Sequence, residues 1–289
     1  MSPALPGDWL VPDWPAAPGV QALCTTRSGG VSSGPYASLN LSLNVGDEPA
    51  AVHENRARLA AAMLALQCRQ GAAEAPAPQP VLLHQVHGAE VEYLDACSAG
   101  GSHADASVTA TPGVGCAIMV ADCLPVLFAH RHLPIVGAAH AGWRGLVGQG
   151  GVGVLETTFK AFKALAQSQK APGAHQNIAS GDMLAWLGPC IGQAAFEVGA
   201  EVREAFVAHD AGADVLFAPG KPGKFQADLA GLARRRLQAM GIAALYGNDG
   251  SEPWCTVSNP ARFFSHRRDG SPGVLGGSGR FGVCIWVAN

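Results

Sequence analysis

Charge is what this 289-residue chain has least of. Asp, Glu, Lys and Arg make up 14% of it, where an ordinary soluble domain carries about 25%. With 48% hydrophobic residues alongside, intrinsic disorder is excluded. Positive charge is not in excess either: 19 basic residues against 22 acidic ones leave a net charge of −3, so there is no broad electrostatic footprint for nucleic acid. The run Arg234-Arg235-Arg236 is too local to make one. Long apolar runs are missing as well. The most apolar stretch, residues 114–128, is interrupted by Asp122 and Pro125 and falls short of the roughly 20 residues that cross a bilayer. The first positive side chain is Arg27, and residues 1–15 mix Pro3, Pro6, Asp8, Pro12 and Asp13, so no secretory signal is readable. The eight cysteines include no Cys-x-x-Cys pair, and the chain is far longer than a disulfide-stapled miniprotein, which points to reduced thiols. A soluble, cytoplasmic protein without nucleic-acid or membrane partners is expected.

Glycine and proline are abundant instead, at 37 and 20 residues, which implies many tight turns and close backbone approaches. At about 150 residues per domain the length admits one α/β unit or two fused halves. Strands are expected over residues 19–26, 81–83, 91–94, 115–120, 125–129, 135–139 and 282–287, and helices over 152–166, 200–209 and 229–240. Asp47 followed by Pro49 reads as an N-cap and first-turn proline, opening a further helix through Val52, Asn55, Leu59 and Met63. Residues 71–80, rich in Ala and Pro with no periodic apolar face, read as an exposed linker. Alternating strands and helices argue an α/β fold, and several strand connections look too short for helical crossovers, so mixed sheets are expected. No fixed-period repeat is detectable.

Three segments place a strong ligand or catalyst beside Gly or Pro at an expected strand end: His84-Gln85-Val86-His87-Gly88, Ala121-Asp122-Cys123-Leu124-Pro125 and His140-Ala141-Gly142-Trp143-Arg144-Gly145. Residues three apart on an extended segment face opposite sides, so His84 and His87 are not expected in one cavity. His87, Cys123 and His140 supply two imidazoles and a thiolate, a ligand set known for catalytic zinc with a fourth position open to water. Their separations of 36 and 17 residues exclude a zinc-finger knuckle and require the fold to assemble the site. A competing arrangement uses Cys123 as nucleophile and His140 as its base, giving a hydrolase or amidase without metal. Asp122 is the neighbouring acid or base, although on a regular strand it faces away from Cys123 unless a turn near Pro125 ends the strand early.

These segments, with Thr25-Thr26-Arg27-Ser28-Gly29-Gly30-Val31-Ser32, Leu39-Asn40-Leu41, Val45-Gly46-Asp47, Asn55-Arg56, Trp186-Leu187-Gly188-Pro189 and Phe263-Phe264-Ser265, closely resemble the YfiH-like laccase-domain family, also called multicopper polyphenol oxidoreductases. The resemblance spans nearly the whole chain. It implies a single domain over residues 1–289, layered α/β/β/α with mixed sheets, and one zinc ion held by His87, Cys123 and His140. It also implies purine nucleoside phosphorylase activity, with adenosine deaminase and methylthioadenosine phosphorylase activities at the same site, so that a purine nucleoside and phosphate are the small-molecule partners. Peptidoglycan editing on a muropeptide precursor and copper-dependent phenol oxidation are other roles proposed for members. The chain departs from the family pattern at Asn44, which stands where a His is common, and at His266, which replaces a common Tyr. Both bear on substrate choice, Asn44 as a substrate-binding residue.

Copper oxidation needs a His₂Cys site with a weak axial ligand plus further imidazoles for a cluster, for which ten histidines are barely enough. Only His130-Arg131-His132 has the close spacing of such clusters, so zinc is expected in preference to copper. Phosphorolysis requires an anion site. Gly148-x-Gly150-x-x-Gly153, just before an expected helix, offers backbone N–H groups and a helix N-terminus. As a dinucleotide fingerprint it lacks the acidic residue expected near residue 170. Arg144, and Arg27 in its glycine-rich loop, carry guanidinium forks that match phosphate oxygens. Trp143 and Phe264 are candidate walls for the base, and residues 265–269 form a basic loop bordering the site.

Overall fold

The structure, a computed structural model, describes residues 7–69, 77–169, 180–270 and 277–288. The apolar runs of the middle third form the central strands β5 (Val114–Val120), β6 (Leu124–His130) and β7 (Val136–Ala141), and every residue of β6 and β7 is buried. A strand buried on both faces needs a layer on each side, and period-two alternation distributes its side chains between them. A six-stranded sheet runs in the order β12 (Ala244–Gly247), β8 (Met183–Leu187), β6, β7, β4 (Ala106–Thr109), β3 (Val91–Tyr93). A four-stranded sheet runs β1 (Val20–Cys24), β13 (Phe281–Val287), β5, β2 (Gln79–Leu82). Both are mixed: β12–β8, β3–β4 and β2–β5 are parallel pairs and the rest antiparallel. A small antiparallel sheet of β10 (Phe217–Pro219), β11 (Lys224–Ala227) and β9 (Glu197–Gly199) lies outside these two.

Leu127, Ala129, Val136 and Ala138 of the large sheet meet Ile118, Val120, Val283 and Ile285 of the four-stranded sheet in one apolar cluster. On the other side Val126 and Phe128 pack with Leu155 and Phe162 of α3 (Val154–Ser168) and Leu232 and Leu237 of α5 (Leu229–Ala239). Cys284 and Trp286, alternating with Ile285, pack on Leu59, Met63 and Leu66 of α1 (Pro49–Arg69). The layers are therefore α1, the four-stranded sheet, the six-stranded sheet and the α3/α5 pair, the α/β/β/α order expected. Each large side chain buried here contributes about 1.5–3 kcal/mol of hydrophobic stabilisation. Of the shorter helices, α2 (Trp143–Val147) packs on β7, α4 (Ala200–Val207) packs on β9 and β11 of the small sheet, and α6 (His266–Asp269) is tied to the bend before β6 by the bond from the Arg267 N–H to Asp122. All eight cysteines are free. Among the described residues no helix is long and apolar enough to cross a membrane.

Three local expectations are corrected. Asp47 is not the cap: α1 begins at Pro49, so Glu48 takes that place and its carbonyl accepts the Val52 N–H at 3.1 Å, while the Asp47 carboxylate accepts from Ser32 (2.6 Å) and Asn40 (2.9 Å), tying the glycine-rich loop to the start of α1. The helix expected from residue 152 begins at Val154, and its N-terminus is not open to an anion, because Glu156 accepts the Gly153 N–H at 2.8 Å and is itself paired with Arg236 at 2.9 Å. The chain's own carboxylate already fills that end. Of the expected linker, residues 71–76 lie outside the described residues, and Gln79 and Pro80 open β2, an edge strand where proline is tolerated.

Candidate metal centre and its two cavities

The site forms where strand ends converge. His140 of β7 pairs with Pro125 of β6, and Ala139 pairs with Ala106 of β4, which brings Asp105, one residue before β4, against the imidazole. The His140 N–H donates to the Asp105 carbonyl at 2.7 Å, and ring Nδ1 lies 2.8 Å from Asp105 Oδ1. A carboxylate only accepts, so Nδ1 carries a hydrogen toward Asp105 and Nε2 is the ring nitrogen left for Cys123 or a metal. Cys123 ends the bend that joins β5 to β6, and His87 lies in the loop after β2. Two residues of this region adopt left-handed backbone, His87 (φ 61°) and Asp122 (φ 89°), a conformation that costs a non-glycine residue about 1–3 kcal/mol and persists only where surroundings impose it. They do so at His87. Asp105 accepts the N–H groups of Val86, His87 and Gly88 at 3.1, 2.9 and 2.7 Å. Next to them the Gln85 amide brackets the Met119 backbone at 2.9 and 2.8 Å.

Cys123 Sγ stands 3.8 Å from His87 Nε2, and the three ligand atoms of His87, Cys123 and His140 all lie within 4.8 Å of one another. Tetrahedral zinc with bonds of about 2.0–2.3 Å sets ligand-to-ligand edges of about 3.5 Å, so this group closes on an ion with a contraction of about an ångström. A thiolate and two imidazoles suit zinc or copper and not the hard, oxygen-seeking cations. The electrostatics agree. Burial opposes a charged Cys123, yet His140 and the hydrogen bonds from His140 and His87 bring its thiol down to about 6. Burial likewise opposes a charged His140, yet Cys123 and Asp105 raise it to about 9. Asp105 is pushed up by burial and held below the usual carboxylate range by the His140 ring and the loop amides. The ligands can therefore hold a metal.

Two cavities meet at this group, of about 360 and 380 Å³, within the range of small-molecule sites. His87, Ala121, Cys123 and His266 form a partition that faces both. His140, Asn44, Gln85 and Arg280 open only onto the first, and Asp122, Trp143, Arg144, Phe196 and Arg267 only onto the second. Asp122 shares a cavity with Cys123 because the bend falls at residues 121–123, before Pro125, which sits inside β6. Its Oδ1 accepts from Thr256 at 2.5 Å and its Oδ2 from the Arg267 N–H at 2.6 Å. Arg144 is exposed and stacks its guanidinium 4.5 Å from the Trp143 ring centroid.

Arg27 and Phe264 line neither cavity. Arg27 donates to the Ala37 and Pro260 carbonyls at 2.8 and 3.0 Å and stacks over the fully buried Phe264. His84 lies away from the ligand group, its ring 4.5 Å from that of His103. Asn44 and His266, the two departures from the family pattern, both face the first cavity. Sequence reasoning missed Asp105, Gln85 and Arg280. The Gln was in a segment already singled out, whereas nothing local distinguishes an Asp before a short strand or an Arg after a glycine.

The model of multi-copper polyphenol oxidoreductase laccases matches residues 21–288. A purine nucleoside phosphorylase of Pseudomonas aeruginosa is 46% identical over 280 residues, covering 96% of this chain and 98% of its own. One of Escherichia coli is 44% identical over 278 residues, with the same coverage. Among solved structures, a Neisseria meningitidis protein superposes with a TM-score of 0.79 at 40% identity, covering 98% of this chain and all of its own. With a family model that matches nearly end to end and a shared layered architecture, the chain belongs to the multi-copper polyphenol oxidoreductase laccase family, the YfiH-like laccase domains.

Proposed function

We propose that the chain is a zinc-dependent purine nucleoside phosphorylase that cleaves adenosine, inosine or methylthioadenosine with phosphate and deaminates adenosine at the same site. The observation that carries this reading is the His87, Cys123, His140 group where two cavities meet, in a chain whose near full-length relatives bear the phosphorylase name. In phosphorolysis a phosphate oxygen bonds to ribosyl C1′ as the C1′–N9 bond breaks. The bonding pair leaves with the purine, which gains the proton that hydrogen phosphate gives up. Positive charge builds on the ribose, so the residues must fix the anion beside C1′ and keep water out. A zinc ion held by the three ligands supplies Lewis acidity and water activation near neutral pH, the capacity that deamination needs.

Asp105 orients the His140 ring, and Asp122 is the one carboxylate among the described residues that lines the second cavity, where it serves as acid or base. Asn44 and Arg144 contact substrate from opposite cavities, while Arg27 acts through the loop it braces. Among the described residues the ligand group is the only one of its kind, which favours one zinc over multi-copper chemistry. Pairing of β1 with β13, from the two ends of the chain, supports reading residues 1–289 as one domain.

A second reading has its own support: Cys123, His140 and Asp105 are ordered as nucleophile, base and orienting carboxylate, the arrangement of a metal-free Cys–His amidase that would act on a muropeptide precursor. One experiment separates the two. Metal-quantified protein is incubated with adenosine, inosine and a muropeptide precursor, with and without phosphate and a chelator. Inosine is expected to give hypoxanthine and ribose 1-phosphate only with phosphate, and adenosine to be deaminated without it, both lost on chelation. Free ribose formed equally without phosphate overturns the phosphorylase reading, and muropeptide cleavage by the metal-free protein installs the amidase.

A further inference from the structure

Among the described residues, the wall of the first cavity holds one guanidinium and no carboxylate. That wall is made by Ser42, Asn44, Gln85, the three metal-ligand candidates, His266, apolar side chains and Arg280. Arg280 immediately precedes β13, and its backbone N–H donates to Asn40 Oδ1 at 2.9 Å, so its Cα is pinned to the sheet. One arm of the guanidinium is committed: Nη1 donates to the Ser278 and Gly279 carbonyls at 2.8 and 3.0 Å. Nε and Nη2 have no hydrogen-bond partner among the described residues, and the side chain has no ion pair there. Other cavity arginines are spent differently. Arg267 donates to the Ala195 and Glu197 carbonyls, and Arg144 is exposed and stacked on Trp143. Nε and Nη2 are not sealed from solvent, so this edge of the guanidinium is available to a ligand in the cavity. Burial lowers the pKa of Arg280, and the negative charges of Cys123 and Asp122 oppose that shift, which places the group within electrostatic reach of the partition.

We propose that Arg280 holds the inorganic phosphate of the reaction in the first cavity, so that phosphate and purine approach the partition from opposite sides. This assignment rests on the phosphorolytic reading above. The Nε and Nη2 pair forms the bidentate edge that matches two oxygens of a phosphate, while Nη1 stays on its carbonyls and keeps the fork oriented. The absence of a carboxylate from the wall favours an anion there. The second cavity, bordered by Trp143 and Phe196, has the aromatic walls that suit a purine.

The test compares wild type with Arg280→Gln and Arg280→Lys, each first shown by thermal unfolding to be folded. Binding of inorganic phosphate alone is read by equilibrium dialysis, and KM for phosphate and for inosine are measured separately. Arg280→Gln is expected to weaken phosphate binding and raise its KM at least tenfold, with KM for inosine changed less than twofold. Arg280→Lys, which keeps the charge but not the fork, should fall between. Arg144→Ala should leave phosphate binding unchanged. Equal phosphate binding in Arg280→Gln and wild type, or an equal rise in both KM values, overturns the assignment. Should wild type bind phosphate through Arg280 yet cleave no nucleoside, the phosphorylase reading fails while the anion site stands.

Discussion

Replacing Asp105 by Asn tests whether one buried carboxylate builds the metal centre. Oδ1 accepts from the His87 N–H and lies 2.8 Å from His140 Nδ1, while Oδ2 accepts from the Val86 and Gly88 N–H groups. Asparagine has the same shape but only one acceptor oxygen. Whichever way the amide is turned, its NH₂ faces two N–H donors, and two bonds to a charged acceptor are lost at a site with no exposure to water. At about 1.5–3 kcal/mol for each such bond, the cost is about 3–6 kcal/mol, a large part of the roughly 5–15 kcal/mol that holds a typical domain together. Two functional consequences follow from the same loss. The His140 ring is no longer fixed in the tautomer that presents Nε2, and the His87 loop loses what imposes its left-handed backbone. Removing such a partner of a metal-bound histidine usually costs about 10–100-fold in metal affinity, and here the second ligand's loop loosens too, so the upper end applies. Urea unfolding of the metal-free proteins reads the first effect and zinc competition against a chromophoric chelator the second. A variant within about 0.5 kcal/mol of wild type in stability, the scatter of neutral surface changes, and with unaltered zinc affinity would refute the reasoning.

Protons should follow the metal. In the metal-free protein the lowered Cys123 pKa contributes stability that is complete above 9.0 and lost as pH falls through about 6, while the raised His140 pKa contributes stability that is complete below 6.5 and lost as pH rises through about 9. Between 6.5 and 9 the folded and unfolded states each hold one proton on this pair, so its contribution to stability is flat with pH, whereas metal binding expels that proton and apparent affinity should rise about tenfold per pH unit. Calorimetric titrations in buffers of different ionisation enthalpy count the protons released, and none released in that window contradicts the assignment. Gly142→Ala should weaken metal binding without unfolding the protein. The backbone there (φ −65°, ψ 156°) accepts alanine, but the new Cβ would lie 3.0 Å from both Cys123 Sγ and His87 Cδ2, pushing two ligands apart. Chelator competition should show about a tenfold loss with stability changed by under about 1 kcal/mol, and an unchanged affinity would show that the ligands yield freely.

How much of this was legible in the sequence depended on whether the cause was local. The runs that became β5, β6, β7 and β13 announced themselves because a strand buried on both faces can contain little but apolar residues, and their expected ends fell within two residues of the observed ones. Short strands such as β4, β9 and β10 carried too few residues for any period to show, and pairing with neighbours far along the chain made them strands. The same division runs through the site. His87, Cys123 and His140 were readable as residue types, since soft donors beside Gly and Pro at strand ends are uncommon, although the resemblance to a known family did much of the work of joining them. The mistaken anion site at the start of α3 was avoidable: Gly153-x-x-Glu156 has the spacing by which a helix satisfies its own first N–H groups. Asp105 was not avoidable. It becomes the anchor of the centre only because β4 pairs with β7 in the register that sets Ala106 against Ala139, and a shift of one residue would turn the carboxylate to the opposite face of the sheet. The ligands are thus written in the chain one by one, but the group that orients two of them is written in a strand register. Mutations that disturb β4 pairing should therefore reach the candidate metal centre as surely as mutations of His87, Cys123 and His140 themselves.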